Sequence, residues 1–102
     1  MTEINLLKAL EEWYAAQVNG DWEHTFGVEI STLDNPGWSV AIDLRSTELE
    51  NQPMIKVRIE RTETDWFECR VESNVFRGFG GTCNLRDIVS VFLRWKASQP
   101  GS

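Results

Sequence analysis

The sequence predicts an α+β domain: a four-stranded antiparallel sheet, made of two hairpins, with N- and C-terminal helices packed on one face. Three observations support this fold. Apolar residues recur at helical spacing near both ends of the 102-residue chain, four runs between them alternate apolar and polar residues, and turn-forming residues separate the runs. Alternation buries only one face of a sheet, which two amphipathic helices can cover.

The N-terminal helix is predicted over residues 3–18, where apolar side chains recur mostly every three or four positions. Thr2 is suited to cap its start because a hydroxyl can accept a free backbone N–H. Asn19 and Gly20 are suited to end it, since both tolerate the left-handed conformation found after many helices.

The first hairpin is predicted from two alternating runs, residues 24–33 and 38–44. Phe26, Val28 and Ile30 share one side of the first run. Residues 34–37 (Asp-Asn-Pro-Gly) lie between the runs and form a dense turn signal.

The second hairpin is predicted over residues 54–61 and 66–72. Ile55, Val57 and Ile59 are expected on the covered side of its first strand. Trp66 alternates with charged residues in its second strand, so the open face of the sheet should carry it, either stacked by neighbours or as an interface anchor. The relative order of the two hairpins is left open by the sequence.

Residues 73–83 are glycine-rich and are interpreted as a flexible connection. An alternative is an anion-binding loop before the last helix, although the lysine of a P-loop is missing. The C-terminal helix is predicted over residues 84–97, capped by Thr82 or Asn84.

The chain is expected to form one domain over residues 1–97, with a flexible tail over 98–102. No run reaches the about 20 apolar residues of a membrane span, and the N-terminus does not resemble a signal peptide. We therefore expect a cytoplasmic protein with no membrane partner. A single histidine and two cysteines argue against a metal site or a disulfide framework, and no cofactor is expected.

The charge of the chain is concentrated in its first half. The formal net charge is −6, but residues 1–51 hold ten acidic and two basic residues, whereas residues 52–102 hold six acidic and eight basic ones. The first half therefore carries −8 and the second half +2. Such acidity argues against nucleic-acid binding and favours a basic protein partner.

A catalytic alternative rests on Cys83, His24 and the glycine-rich segment. Cys83 precedes a predicted helix, whose N-terminus can activate a thiol, and His24 could orient it. This reading predicts a small ligand-binding domain or thiol-dependent enzyme. A third reading is a structural subunit that self-associates through the open sheet face.

A series of short motifs extends from the first helix through the first hairpin. They are Trp13-Tyr14, Gly20-Asp21-Trp22-Glu23-His24, Gly27-Val28-x-Ile30, Thr32-Leu33-Asp34-Asn35-Pro36-Gly37-Trp38, Val40-x-Ile42-Asp43-Leu44 and Thr47. This set resembles the immunity protein 53 family, small bacterial proteins encoded beside polymorphic toxins. The resemblance implies a non-enzymatic protein that binds a cognate toxin and blocks it in the producing cell. It implies neither the toxin nor the contact residues.

If the partner is a toxin, as the resemblance implies, the charge distribution favours an acidic contact surface, which could occlude a basic active site such as that of a nuclease. The protein should act as a monomer or weak homodimer. Trp13, Trp38 and Trp95 are assigned to the core. The expected contact residues are Glu11, Glu12, Asp21, Glu23, Glu29, Asp34 and Asp43, with Trp22 and Trp66 as anchors.

Overall fold

The computed structural model describes the backbone of residues 3–100 and the side chains of residues 5–100. The predicted cap Thr2 lies outside the described residues. Over residues 3–100, three helices and five strands follow one another: α1 (Glu3–Gln17), α2 (Trp22–Thr25), β1 (Val28–Leu33), β2 (Gly37–Asp43), β3 (Val57–Glu60), β4 (Trp66–Glu72), β5 (Val75–Gly80) and α3 (Leu85–Ala97).

The strands form one antiparallel sheet in the order β1-β2-β5-β4-β3. Both predicted hairpins are confirmed: Leu33 pairs with Gly37 at the end of β1–β2, and Glu60 pairs with Trp66 at the end of β3–β4. The α+β class and the two terminal helices are also confirmed. The strand β5 joins the two hairpins, pairing with β2 on one side and β4 on the other.

The expectation of four strands was wrong, because the segment interpreted as a glycine-rich connection contains the central strand β5. Its residues do alternate: Phe76, Gly78 and Gly80 are buried on the helix side. Glycine at two of these three positions hides the apolar pattern. A β-carbon at Gly78 would collide with Ile88 Cγ2 of α3, so the helix can lie this close to β5 only over a residue without a side chain.

The core lies between the sheet and its two long helices. The helix α3 packs on β4 and β5, and α1 packs against α3. Phe92 of α3 is fully buried, with its ring centroid 5.2 Å from those of Trp13 and Phe76 in edge-on contacts. Trp13 and Trp95 are core residues as predicted, while Trp38 is half-buried, packs against the core and donates its indole N–H to Thr82 O.

Two strand predictions were too long. Residues 22–25 form the short helix α2, so β1 starts only at Val28, and β3 is limited to Val57–Glu60. Ile55 was expected on the covered side but lies outside the strand and is 90% exposed. The helix layer does not extend over it, because α3 lies over β4 and β5 rather than over the outer strand β3.

Candidate partner-binding surface

The acidic residues of α1 lie on the exposed side of that helix. Glu11 and Glu12 are both exposed, whereas Leu10 and Trp13 are buried in the core. Glu11 also lines a shallow groove of about 400 Å³ between α1 and the start of β1, together with Tyr14 and Phe26. Acidic and aromatic groups thus meet at this edge of the domain.

The segment between α1 and α2 is a tight turn held by side chains. Asn19 Oδ1 accepts the backbone N–H of Asp21 and Trp22, and the Glu23 carboxylate accepts those of Asn19 and Gly20 at 3.0 and 2.8 Å. Gly20 adopts φ +88°, which a side chain would strain. Asp21 is left exposed by this turn.

Trp22 does not offer its side chain to a partner, contrary to the expectation. Only 3% of it is exposed, and its indole N–H donates to Arg45 O at 2.9 Å. Its ring meets those of Trp13, Tyr14 and Phe26. The sequence analysis predicted no helix between residues 18 and 24, whereas Trp22 begins the short helix α2 with its indole turned inward. Trp22 therefore holds the turn against the core and is no longer a candidate anchor for a partner.

The same turn predicts a pH response. Hydrogen bonds from the backbone N–H groups of Glu23 itself, Asn19 and Gly20 lower the pKa of the Glu23 carboxyl below its ordinary 4.5. Because this pKa is lower in the folded state than in the unfolded state, the ionised carboxylate stabilises the fold at pH values above the ordinary pKa. This contribution is lost as pH falls through the folded-state pKa. The Asn19 and Gly20 amide NMR shifts should therefore titrate with a midpoint below 4.5. A Glu23→Gln variant should lose this titration, and a wild-type midpoint at or above 4.5 would contradict the bonding.

Asp43 is the acidic residue of this region whose charge is most strongly compensated. Its carboxylate accepts two bonds from the Arg45 guanidinium, at 2.6 and 2.9 Å. Partial burial opposes its ionisation, but the bonds and charge of Arg45 outweigh burial and lower the pKa of Asp43. The Arg45 guanidinium also lies 4.7 Å from the Phe26 ring centroid. Asp43 is therefore a fixed ion pair more than a free negative charge.

The predicted contact residues divide between two ends of the sheet. Gly27 O accepts the N–H of Asp43, so the start of β1, α2 and the end of β2 share one end. We call the acids there, with those of α1, the acidic end; its members are the exposed Glu11, Glu12, Asp21 and Glu29 and the half-buried Glu23.

Asp34 and Trp66 lie elsewhere. Asp34 is in the β1–β2 turn, and the Trp66 backbone bonds Gly81 beside the start of α3, which puts both at the opposite end of the strands. The seven residues of β2 separate the two ends by about 20 Å. Trp66 is half-buried on the open face, next to Glu60 in register.

The charges of the second half of the chain largely neutralise one another on the open face. Glu68 of β4 lies 2.7 Å from Arg70, 3.5 Å from Arg58 and 3.7 Å from Lys56. Glu72 in turn lies 3.7 Å from both Arg70 and Arg77. Within residues 5–100, by contrast, no ion pair reaches Glu11, Glu12, Asp21 or Glu29. Carboxylates outside any ion pair are thus most numerous at the acidic end of the described residues, and Asp34 and Glu63 are exposed at the opposite end of the strands.

Glu48 was missed by the sequence interpretation and belongs to the same region. It follows β2, and its carboxylate accepts the Trp13 indole N–H at 2.9 Å and the Gln17 amide at 3.3 Å. The signal that could have identified it is Trp13 itself, since a buried indole N–H requires an acceptor. Glu48 adds another carboxylate beside α1.

The residues of the catalytic alternative are not brought together. His24 is in α2, whereas Cys83 follows β5 at the opposite end of the strands. Cys83 is exposed and contacts Thr82, while Cys69 is buried, which raises its pKa to about 12. Gly78 and Gly80 belong to β5, so they do not form an anion-binding loop.

Among the described residues, no cluster of His, Cys, Asp or Glu could hold a metal ion, and no helix has the length and apolar character needed to cross a bilayer.

Comparison with known proteins identifies one family. The family model described as immunity protein 53 matches residues 7–97, nearly the whole chain and all the secondary-structure elements except the start of α1. Neither the curated proteins nor the solved structures give a significant match. A match of this extent, over a domain whose acidic and aromatic residues meet at one end, shows that the chain belongs to the immunity protein 53 family.

Proposed function

We propose that this protein is the cytoplasmic inhibitor of a cognate bacterial toxin, which it binds stoichiometrically and occludes with its acidic end. The family membership supports a toxin as partner and a non-enzymatic role. The proposal that the acidic end is the toxin-binding surface rests on an electrostatic observation. Exposed carboxylates of α1, of the turn after it and of β1 lie at one end, while most charges of the open face in the second half pair with one another.

A basic toxin suits this surface best. Nucleases present cationic sites to phosphate, and a group of carboxylates can occupy such a site in place of the substrate. Complementary charge also accelerates encounter, which matters for an inhibitor that must reach a lethal enzyme before it acts. The backbone of α1 and the turn held by Glu23 would present these carboxylates without further ordering.

An apolar anchor is available beside these charges. Tyr14 is 40% exposed on α1, one turn after Glu11, and it borders the same groove. Leu7, 62% exposed, precedes Glu11 by one turn. Tyrosine combines a large apolar ring with a hydroxyl that can bond a partner, and it is enriched where binding energy concentrates. Tyr14 therefore takes the anchor role expected of Trp22, and Trp66 remains a candidate at the far end.

Charge reversal at the acidic end tests the proposal. In a Glu11→Lys/Asp21→Lys variant, the association rate with the toxin encoded by the adjacent gene should fall about 10- to 100-fold at low salt, because steering depends on net charge near the contact. Stopped-flow or surface binding kinetics would measure it. The rate for the wild type should also fall as salt rises, and that for the variant much less.

The matched control reverses one charge away from the acidic end, in about 0.1 M salt, where the Debye length is about 10 Å. Glu63 is exposed after β3, at the opposite end of the strands, so Glu63→Lys changes the net charge as much as Asp21→Lys does. Glu63→Lys should slow association by no more than about threefold, whereas Asp21→Lys should slow it about tenfold, because charges beyond a Debye length are screened. Equal effects of the two single variants would mean that the acidic end contributes only net charge. No binding to the adjacent toxin by any form would reject the function itself.

A further inference from the structure

The strand β3 forms one border of the sheet and leaves a free edge. Arg61, just after it, donates its N–H to Asp65 O at 2.9 Å, so the Arg61 amide points toward β4. Amides point alternately to the two sides of an antiparallel strand, so those of Val57 and Ile59 also face β4. The N–H and C=O groups of Arg58 and Glu60 therefore point away from the sheet.

An apolar groove lies along this free edge on the helix side. It encloses about 970 Å³ between β3 and α3, and its walls include Ile55, Val57, Ile59, Val91 and Trp95. Ile55 is 90% and Ile59 37% exposed. An unpaired strand edge beside exposed apolar side chains is a surface suited to pairing with another strand.

The charges of β3 are complementary to those of a second β3. Outward-pointing backbone groups of one copy can pair only with outward-pointing groups of the other copy. The twofold axis of a symmetric antiparallel pair must therefore pass through Arg58, Ile59 or Glu60. Centring on Arg58 or Glu60 places like charges opposite each other. Centring on Ile59 instead places Arg58 of each copy opposite Glu60 of the other, with exchanged backbone bonds and two cross-strand ion pairs.

We propose that the protein forms a twofold homodimer in which two β3 strands pair edge to edge with Ile59 at the axis. The two sheets join into one of ten strands, and both α3 helices lie on the same face. The two apolar grooves then adjoin across the axis and shield Ile59. The acidic ends lie near the outer strands β1, so each copy keeps its own free. This dimer does not depend on the toxin-binding proposal.

Sedimentation of the purified full chain over a range of concentrations, without any toxin, tests the dimer. The wild type should self-associate, and Arg58→Glu or Glu60→Arg should each raise the dimer dissociation constant about tenfold or more, because each puts two like-charged pairs across the axis. Both positions are exposed, so circular dichroism should report an intact fold.

Mixing the two single variants tests the register. An Arg58→Glu copy presents two glutamates and a Glu60→Arg copy two arginines, so an equimolar mixture should form heterodimers with near wild-type affinity. Ile59→Ser should also weaken the dimer, whereas Ile30→Ser, on the opposite edge strand and 41% exposed, should leave it unchanged. A wild type that stays monomeric at millimolar concentration would overturn the proposal. So would dimers unaffected by the reversals or mixtures that fail to associate.

Discussion

Substituting Gly78 with alanine is expected to destabilise the domain by about 3 kcal/mol, at the upper end of the range for overpacked cores. The added β-carbon would collide with Ile88 Cγ2. Gly78 lies on the central strand β5, and Ile88 is fully buried in α3, so no side chain can swing into solvent to relieve the contact. The helix itself must move away from the sheet. Urea unfolding followed by tryptophan fluorescence would measure the loss.

A double-mutant cycle isolates that contact. Ile88→Ala alone should cost about 3 kcal/mol through the cavity it leaves. Combined with Gly78→Ala it should cost clearly less than the sum of the two, because the new methyl group enters the vacated space. Gly27→Ala is the matched control: a β-carbon there meets nothing within 4 Å, so stability should stay within about 0.5 kcal/mol. Full additivity of the Gly78 and Ile88 changes would contradict direct contact.

The same glycine explains the main error of the fold prediction. A buried strand is recognised by large apolar residues at every second position, and β5 shows that pattern only at Phe76. At Gly78 and Gly80 the space that a strand side chain would normally occupy is filled by Ile88 of α3. Whether a glycine is a flexible link or a close-packing position depends on what lies above it. The two hairpins were predictable because their patterns are local.

The surface was predicted less well than the fold for a related reason. Net charge located the excess acid in the first half of the chain, but it could not say which acids share one end. Asp34 is close to Glu29 in sequence and lies near the other end of β1. Trp22 follows the exposed Asp21, and only the turn held by Asn19 and Glu23 points its indole inward. Such groupings arise from tertiary contacts, which residue order does not contain.

Replacing Asn84 with aspartate is expected to cost about 3–5 kcal/mol at pH 7, comparable to breaking a buried charge pair. Asn84 is 2% exposed and connects three elements. Its amide donates to Asp65 and to Asp87, at 2.9 Å each, and its oxygen accepts the Trp66 N–H at 3.3 Å. The substitution keeps the shape and the acceptor but replaces a donor to two carboxylates with a third carboxylate.

The sign of the pH dependence distinguishes this repulsion from a packing defect. Among two other carboxylates, the new group should have a raised folded-state pKa. Its cost is therefore full above that raised pKa and disappears as pH falls from there to the ordinary pKa of an aspartate. In the wild type, bonds from the Arg61 guanidinium and then from the Asn84 amide lower the pKa of Asp65. That contribution is present above the ordinary value and declines as pH falls through the folded pKa. The stabilities of variant and wild type should therefore converge on acidification.

Urea midpoints at pH 7 and pH 4 would measure this convergence, with Asn84→Ala as the uncharged control. Alanine removes the same bonds without adding charge, so it should cost about 2 kcal/mol and vary less with pH. Losing these bonds should also loosen the end of β3, because Asn84 holds the β3–β4 turn against α3 through Asp65 and Asp87. If the turn is loosened, amide exchange should rise first at Arg61 and Thr62, which both bond Asp65 O. A pH-independent gap between Asn84→Asp and the wild type would contradict the repulsion and leave only the loss of bonds.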